Sequence, residues 1–240
     1  MAILTLTGID HTVDAGWINE FGKEYEREHM VEFAILRSPK VGQSARFPTK
    51  ETIRKITNYV YPEKLAFHLC GRYARMVFSG EWLELCDIID FSLVSRVQVN
   101  STECDEKAMM TLLKFSAYIR LPVVMQWRGE TFPYVGSINI LQDRSGGTGE
   151  LPSEWISMGA RVKKCYQAKQ NFPHAKIGYA GGLNPDNIVE QMPKIIKAAS
   201  SNFFWVDCES GIRTNDLFDK DKAQAMLDAV CAARGVMKKK

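Results

Sequence analysis

Eight short apolar runs recur along the whole chain, at residues 2–6, 32–36, 65–69, 96–99, 122–126, 138–141, 176–179 and 203–206. Runs of this length, bounded by Gly, Pro or Asn, read as strands buried on both faces. Amphipathic helical stretches lie between most of them, clearest at 15–28, 50–60, 105–118, 153–170, 187–199 and 220–234. The last of these places Ala223, Met226, Leu227 and Val230 on one face. Strand alternating with helix implies parallel pairing through right-handed crossovers. Eight repeats imply closure, so the chain is expected to form a single α/β (βα)8 TIM barrel over residues 1–235. Residues 127–137 contain Gly129, Pro133 and Gly136. They leave little room for a helix, so the fifth helix is expected to be reduced to a loop. Residues 236–240, ending Lys238-Lys239-Lys240, read as a solvated basic tail.

Composition excludes several function classes. A net charge of +3 on 240 residues is too small to imply nucleic-acid binding. No apolar run approaches the roughly 20 residues that span a bilayer. The opening M-A-I-L-T-L-T-G lacks the basic region and cleavage signal of a secretory peptide. The cysteines, Cys70, Cys86, Cys104, Cys165, Cys208 and Cys231, form no CxxC pair and no zinc-spaced cluster with His. They read as reduced thiols, and the expected compartment is cytoplasmic. No motif implies a metal, nicotinamide or flavin, so no cofactor is expected. Oligomeric state is left open.

The last third carries the strongest functional signal. A-G-G-L-N-P-D-N (residues 180–187) and V-D-C-E-S-G-I (206–212) each run from a strand-like segment into glycines and toward a helix. In (βα)8 barrels the loops after strands 7 and 8 often hold a phosphate. Backbone N–H groups at such turns favour an anion. Gly181, Gly182, Ser210 and Gly211 are therefore candidate phosphate-binding residues, and the expected partner is a small phosphorylated ligand. Glycine also makes tight turns with no ligand at all. Asn184 is placed to cap the following helix, with Pro185 in its first turn.

The ordered set of motifs resembles the phosphoribosylanthranilate isomerase family of tryptophan biosynthesis. G-I-D-H-T-V-D-A (8–15) is similar to the family's G-I-T-x-x-x-D-A after strand 1. Q-S-A-R-F-P (43–48) is similar to its K-S-P-R after strand 2, and V-Q-V-N (97–100) to its V-Q-L-H on strand 4. L-Q-D (141–143) with G-G-T-G (146–149) resembles strand 6 and its loop, and D-C-E-S-G-I-R-T-N (207–215) resembles D-V-S-S-G-V-E-x-x. The resemblance implies an Amadori rearrangement of an aminoaldose phosphate, with one acid and one base. It implies Asp143 as the acid, Arg46 as the binder of a substrate carboxylate and Asp207 as a group near the amine.

The departures fall around the reacting carbon. The family's strand-1 cysteine base, in K-I-C-G-I-T, stands here as Thr7 in T-L-T-G-I-D. A hydroxyl is no base near neutral pH. Glu209 occupies the place of the family's first strand-8 serine, and Asn100-Ser101 that of His-Gly. The loop from Arg37 to Arg46 is longer. The catalytic candidates are thus Asp143, Thr7 and Glu209. Glu209 is a substitute base or acid whose pKa a bound phosphate would raise. His11, His68 and Cys70 lie near strand ends and are candidates to replace the missing base, but each reads first as packing or loop decoration; Trp82, Trp155 and Trp205 read as core or helix packing. Arg37 competes with Arg46 for its role. Two readings stay open: a divergent phosphosugar isomerase, and a catalytically silent phospholigand-binding or scaffold protein. Thr7 implies little authentic phosphoribosylanthranilate isomerase activity.

Overall fold

The chain's structure, a computed structural model, describes residues 3–26, 31–101, 106–129, 138–143, 145, 149–156, 176–199 and 204–239. Eight strands form a closed barrel: β1 (Leu4–Thr7), β2 (Val31–Arg37), β3 (Leu65–Leu69), β4 (Arg96–Val99), β5 (Val123–Trp127), β6 (Asn139–Asp143), β7 (Ile177–Ala180) and β8 (Phe204–Cys208). Every neighbouring pair is parallel, and β1 closes the ring by pairing Leu4 with Val31 of β2 and Val206 of β8. Each expected strand is present; β3 and β4 match their expected bounds, and the ends of the other six shift by one or two residues. Helices on the outside are α1 (Ala15–Glu20), α2 (Lys50–Thr57), α3 (Arg72–Ser79), α4 (Trp82–Ile88), α5 (Glu106–Ile119), α6 (Ile188–Ala199) and α7 (Lys220–Ala233).

The period of two along each strand sorts the core into two parts. Leu4, Leu6, Phe33, Ile35, Phe67, Val97, Ile140, Tyr179, Phe204 and Val206 belong to one large cluster shared with the helices. Residues of the opposite parity face the barrel axis. There Val124, Leu141, Ala180 and Trp205 form a small separate cluster. Of the two packing roles expected for Trp205, core and helix, it takes the core one, inside the barrel lumen. Its indole fills the space over Gly178, whose absent Cβ would lie 2.2 Å from Trp205 Cε2. The Arg96 guanidinium lies 4.8 Å from the Trp205 ring and pairs with buried Glu32 through Nε, at 3.0 Å, and Nη2. Thr5 accepts from Arg96 at 3.2 Å and donates to Glu32 at 3.1 Å. This polar knot in the lower lumen satisfies the buried charges, which desolvation would otherwise make costly.

Local signals explain most element ends. Asp14 caps α1 by accepting from Trp17 N at 2.7 Å, and Thr49 caps α2 by accepting from Thr52 N at 3.2 Å. The helix expected over 15–28 stops at Glu20, because Phe21 turns to extended backbone with ψ 128°. The stretch after β3, not singled out in the sequence, folds as the short pair α3 and α4. Pro193 sits inside α6 without ending it. Residues 153–156 are not helical. The remainder of the helix expected over 153–170 lies outside the described residues, as do residues 130–137 of the expected fifth loop.

Two long-range ties join the ends of the chain. The Asp10 carboxylate, fully buried, accepts from Arg213 Nη2 at 2.8 Å, Phe218 N at 2.9 Å and Thr12 N at 3.0 Å. Arg213 also donates to Gly8 O and starts a two-stranded hairpin, β9 (Arg213–Thr214) with β10 (Leu217–Phe218). Residues 237–239 of the basic tail are exposed and are tied down through their backbone. Glu26 N donates to Met237 O at 3.1 Å, Lys239 N to Glu24 O at 2.7 Å, and Tyr25 bridges Lys238. No helix among the described residues is long and apolar enough to cross a membrane.

Candidate functional site

The upper lumen, at the C-terminal ends of the strands, opens into a cavity of about 400 Å3. Barrel chemistry is found at this end because the βα loops converge there. Thr7 (β1), His68 (β3), Gln98 (β4), Gln126 (β5), Asp143 (β6) and Asp207 (β8) all line it. All six have the inward parity of their strands. Asp207 points inward.

Asp207 and His68 form the floor, with 5% and 1% of their surfaces exposed. The Thr7 hydroxyl donates to Asp207 Oδ1 at 2.8 Å. Among the described residues Asp207 Oδ2 has no hydrogen-bond partner, and neither has His68 Nε2, which lies 3.9 Å from it. Gln98 Nε2 lies 3.3 Å from His68 Nδ1 and 2.9 Å from Asn100 Oδ1. With the Gln98 amide donating, Nδ1 accepts and the proton sits on Nε2, facing Asp207. Burial, followed by the nearby Arg96 charge, pushes His68 well below its ordinary pKa, so the ring is neutral. Burial pushes Asp207 up to about 7 against the opposing effects of the Thr7 hydrogen bond and Arg96. Thr7 itself is no base; its hydroxyl holds the Asp207 carboxyl. Burial pushes Cys70 up to about 12, which disfavours it as a substitute base.

Asp143 stands at the end of β6. Its Oδ2 accepts from Gln126 at 2.6 Å and its Oδ1 from Ser145 Oγ at 2.6 Å and Ser145 N at 3.1 Å. The carboxyl is thereby held with its face to the cavity. The neighbouring Arg144 lies outside the described residues. Glu209, half-buried at the end of β8, is raised above the usual carboxylate range by burial; Arg46 and Arg213 oppose the rise, and Asp143 adds to it. Arg46 reaches across from the β2 loop. It lies 3.3 Å from Glu209 and forks onto Asp216 Oδ1 through Nε at 3.2 Å and Nη2 at 2.9 Å. The residue expected to meet a substrate carboxylate is therefore already engaged by two carboxylates of its own chain.

The glycine turns meet on the wall made by β6, β7 and β8. Gly181 and Gly182 take φ of +112° and +62°, which side chains with a Cβ rarely adopt. Asn184 Oδ1 accepts from Asp186 N at 2.9 Å and Asn187 N at 3.1 Å, so the expected cap before α6 is present. Gly149, Gly181, Gly182 and Ser210 line the cavity. Gly211 lies one step behind: a Cβ there would be 2.1 Å from Leu183 O. It lets the β8 turn seat against the β7 turn. His11 and Arg37 are not among the cavity residues. Sequence reasoning passed over Gln98, Gln126, Arg75 and Arg128, all of which are. For the two glutamines a signal existed, a polar residue at the inward position of a buried strand. Among the described residues no group of three or more His, Cys, Asp and Glu side chains could hold a metal.

A sequence model of the N-(5'-phosphoribosyl)anthranilate (PRA) isomerase family matches residues 85–229. The structure of N-(5'-phosphoribosyl)anthranilate isomerase from Pyrococcus furiosus is similar in fold, with a TM-score of 0.54 at 13% identity, covering 97% of this chain and all of that one. Ribulose-1,5-bisphosphate carboxylase/oxygenase from Pyrococcus horikoshii OT3 gives a TM-score of 0.53 at 13% identity; the match covers 98% of this chain and 59% of that one. The structural likenesses establish a shared barrel, while the family match spans more than half of the chain and includes β5 to β8 with both glycine turns. The chain belongs to the N-(5'-phosphoribosyl)anthranilate isomerase family.

Proposed function

We propose that this protein binds a phosphorylated, sugar-type small molecule and moves a proton between two of its carbons and heteroatoms, as in an aldose–ketose isomerisation. The observation that carries the reading is that Asp143 and Asp207, from different strands, open onto one cavity whose rim is the pair of glycine turns. In this reading the phosphate rests on Gly181, Gly182 and Ser210, with Gly211 shaping the seat. Asp143 protonates the ring oxygen as the ring opens. Asp207, half ionised near neutrality, takes the proton from the carbon in place of the missing thiolate. Thr7 orients Asp207, and Glu209 keeps Arg46 in place. Thr7 in the family's cysteine position favours a second reading, a phospholigand-binding protein without turnover.

Calorimetry with ribose 5-phosphate tests the grip. Ser210 is exposed, so Ser210→Glu adds a negative charge with little burden on the fold; Gly182→Asp is harsher, since its Cβ would lie 2.5 Å from Leu151 N. Equal binding by Ser210→Glu and the parent would sink the phosphate assignment. A steady-state assay with fluorescent phosphoribosylanthranilate tests the chemistry. The expected outcome is weak turnover by the parent, a gain in Thr7→Cys and loss in Asp143→Asn, because one placed acid or base contributes about 10²–10⁴-fold. No turnover by parent or Thr7→Cys, with ribose 5-phosphate still bound, selects the binding-protein reading.

A further inference from the structure

The floor of the cavity carries three buried polar atoms with no hydrogen-bond partner among the described residues: Asp207 Oδ2, His68 Nε2 and Gln98 Oε1. Their side chains are buried and line one cavity. They stand on β8, β3 and β4, inside a ring whose eight strands are all described. Buried polar atoms are almost always hydrogen-bonded, so three together on one cavity floor mark a place for a polar ligand.

The three atoms differ in chemistry. Gln98 uses both amide hydrogens, one toward His68 Nδ1 at 3.3 Å and one to Asn100 Oδ1 at 2.9 Å. His68 Nε2 therefore carries the ring proton and is a donor, on an imidazole that burial keeps neutral. The Thr7 hydroxyl takes Asp207 Oδ1, which leaves Oδ2 as an acceptor. Donor and acceptor stand 3.9 Å apart, too far to bond each other and close enough for one ligand atom to meet both. Such an atom must accept one hydrogen bond and donate another. A hydroxyl does so. An arylamine N–H donates to Asp207, but its lone pair is delocalised into the ring and accepts poorly. Gln98 Oε1 adds an acceptor for a neighbouring hydroxyl.

We propose that His68 and Asp207 together bind a hydroxyl of the ligand, so that the protein selects an aldose or ketose phosphate over an N-aryl aminosugar phosphate, with His68 as the residue that sets the choice. The proposal rests on the phosphorylated-sugar reading above and names the substrate class of the same cavity. The family resemblance places an amine beside Asp207; the imidazole N–H turns the site toward oxygen. Arg46, which the resemblance assigns to a substrate carboxylate, is already held by Glu209 and Asp216. The hydroxyl-bearing carbon then lies beside Asp207, where the proton transfer proposed above needs it.

Calorimetry on the whole chain with three probes tests this. Ribitol 5-phosphate carries a hydroxyl at its free end, 1-deoxyribitol 5-phosphate lacks it, and 1-anilino-1-deoxyribitol 5-phosphate has an arylamine there. The parent is expected to bind ribitol 5-phosphate about tenfold tighter than either other probe. His68→Phe is expected to abolish that preference while leaving the anilino probe within about threefold of its affinity for the parent. His68→Gln, which keeps an N–H donor, should restore most of the preference. Binding of either other probe by the parent as tightly as ribitol 5-phosphate overturns the proposal, and so does a folded His68→Phe that weakens all three alike. The comparison on the parent needs no variant, and matching circular dichroism spectra show that the variants fold. Ser210→Glu reads the phosphate seat separately. If it leaves all three probes unchanged while the hydroxyl preference persists, the phosphate seat is wrong and the hydroxyl site stands. If it weakens all three while the parent shows no preference, the seat stands and the hydroxyl site is overturned. Absence of binding by every probe overturns both.

Discussion

Replacing Asp207 by Asn is expected to remove a pH dependence of stability that the buried carboxyl creates. Asp207 faces Thr7 from β1, Glu32 from β2, neutral His68 from β3, Arg96 from β4 and Glu209 on its own strand. Burial dominates and holds its pKa at about 7, against 3.8 for an ordinary aspartate. Between those values the folded protein keeps a proton that the unfolded chain has lost, so stability falls as pH rises from about 4 to about 7. Three pH units at about 1.36 kcal/mol each give roughly 4 kcal/mol as the upper bound of that loss. Below pH 4 both states are protonated and the loss vanishes; above pH 7 it is complete. His68 acts in the opposite sense: its lowered pKa makes the fold gain stability as pH rises toward 6.5. Glu209, raised, acts in the same sense as Asp207. Both are present in parent and variant, so the difference between the two proteins isolates Asp207. Urea unfolding of both at pH 4.5, 6, 7 and 8.5 provides the measurement. Asp207→Asn should gain a few kcal/mol on the parent between the first and last pH. Parallel curves for the two proteins would refute the claim that the folded chain keeps the Asp207 proton up to about pH 7.

Two structural variants complete the expectations. Gly178→Ala places a Cβ 2.2 Å from the Trp205 ring in a closed lumen and should cost about 1–3 kcal/mol or more, seen as a fall in Tm; an unchanged Tm would show that the indole can move. Arg213→Ala leaves the Asp10 carboxylate, 0% exposed, without its cation and should cost about 3–5 kcal/mol in denaturant, whereas Asp10→Asn/Arg213→Gln should cost less than the single change.

Strands and glycine turns were legible because their signals are local. V-E-F-A-I-L-R and F-W-V-D-C are buried along their whole length, and A-G-G-L-N-P-D-N carries its own φ requirements and helix cap. The inward direction of His68 was also written in L-A-F-H-L, since Phe67 and Leu69 occupy the outward parity. What could not be read is non-local. The fate of Arg46 depends on Asp216, 170 residues away, and the role of Thr7 on Asp207, 200 residues away. The α3–α4 pair was missed because each helix is short: α3 ends at Gly80, which takes the left-handed C-cap, and α4 begins two residues later. Isolated segments of that length have no stability that propensity alone would signal.

The seam between β1 and β8 has a consequence for how the chain is made. β1 can meet β2 as soon as residue 37 exists, but its other edge belongs to Val206, Asp207 and Cys208. At a ribosomal pace of about 5–20 residues per second, those partners emerge roughly 10–40 s after β1 does. During that interval β1 is an edge strand, and Asp10 lacks Arg213 and the Phe218 amide. Nascent chains are therefore at their most adhesive before β8 appears, and a ribosome stalled between residues 180 and 204 would present that open edge to chaperones or to a second nascent chain.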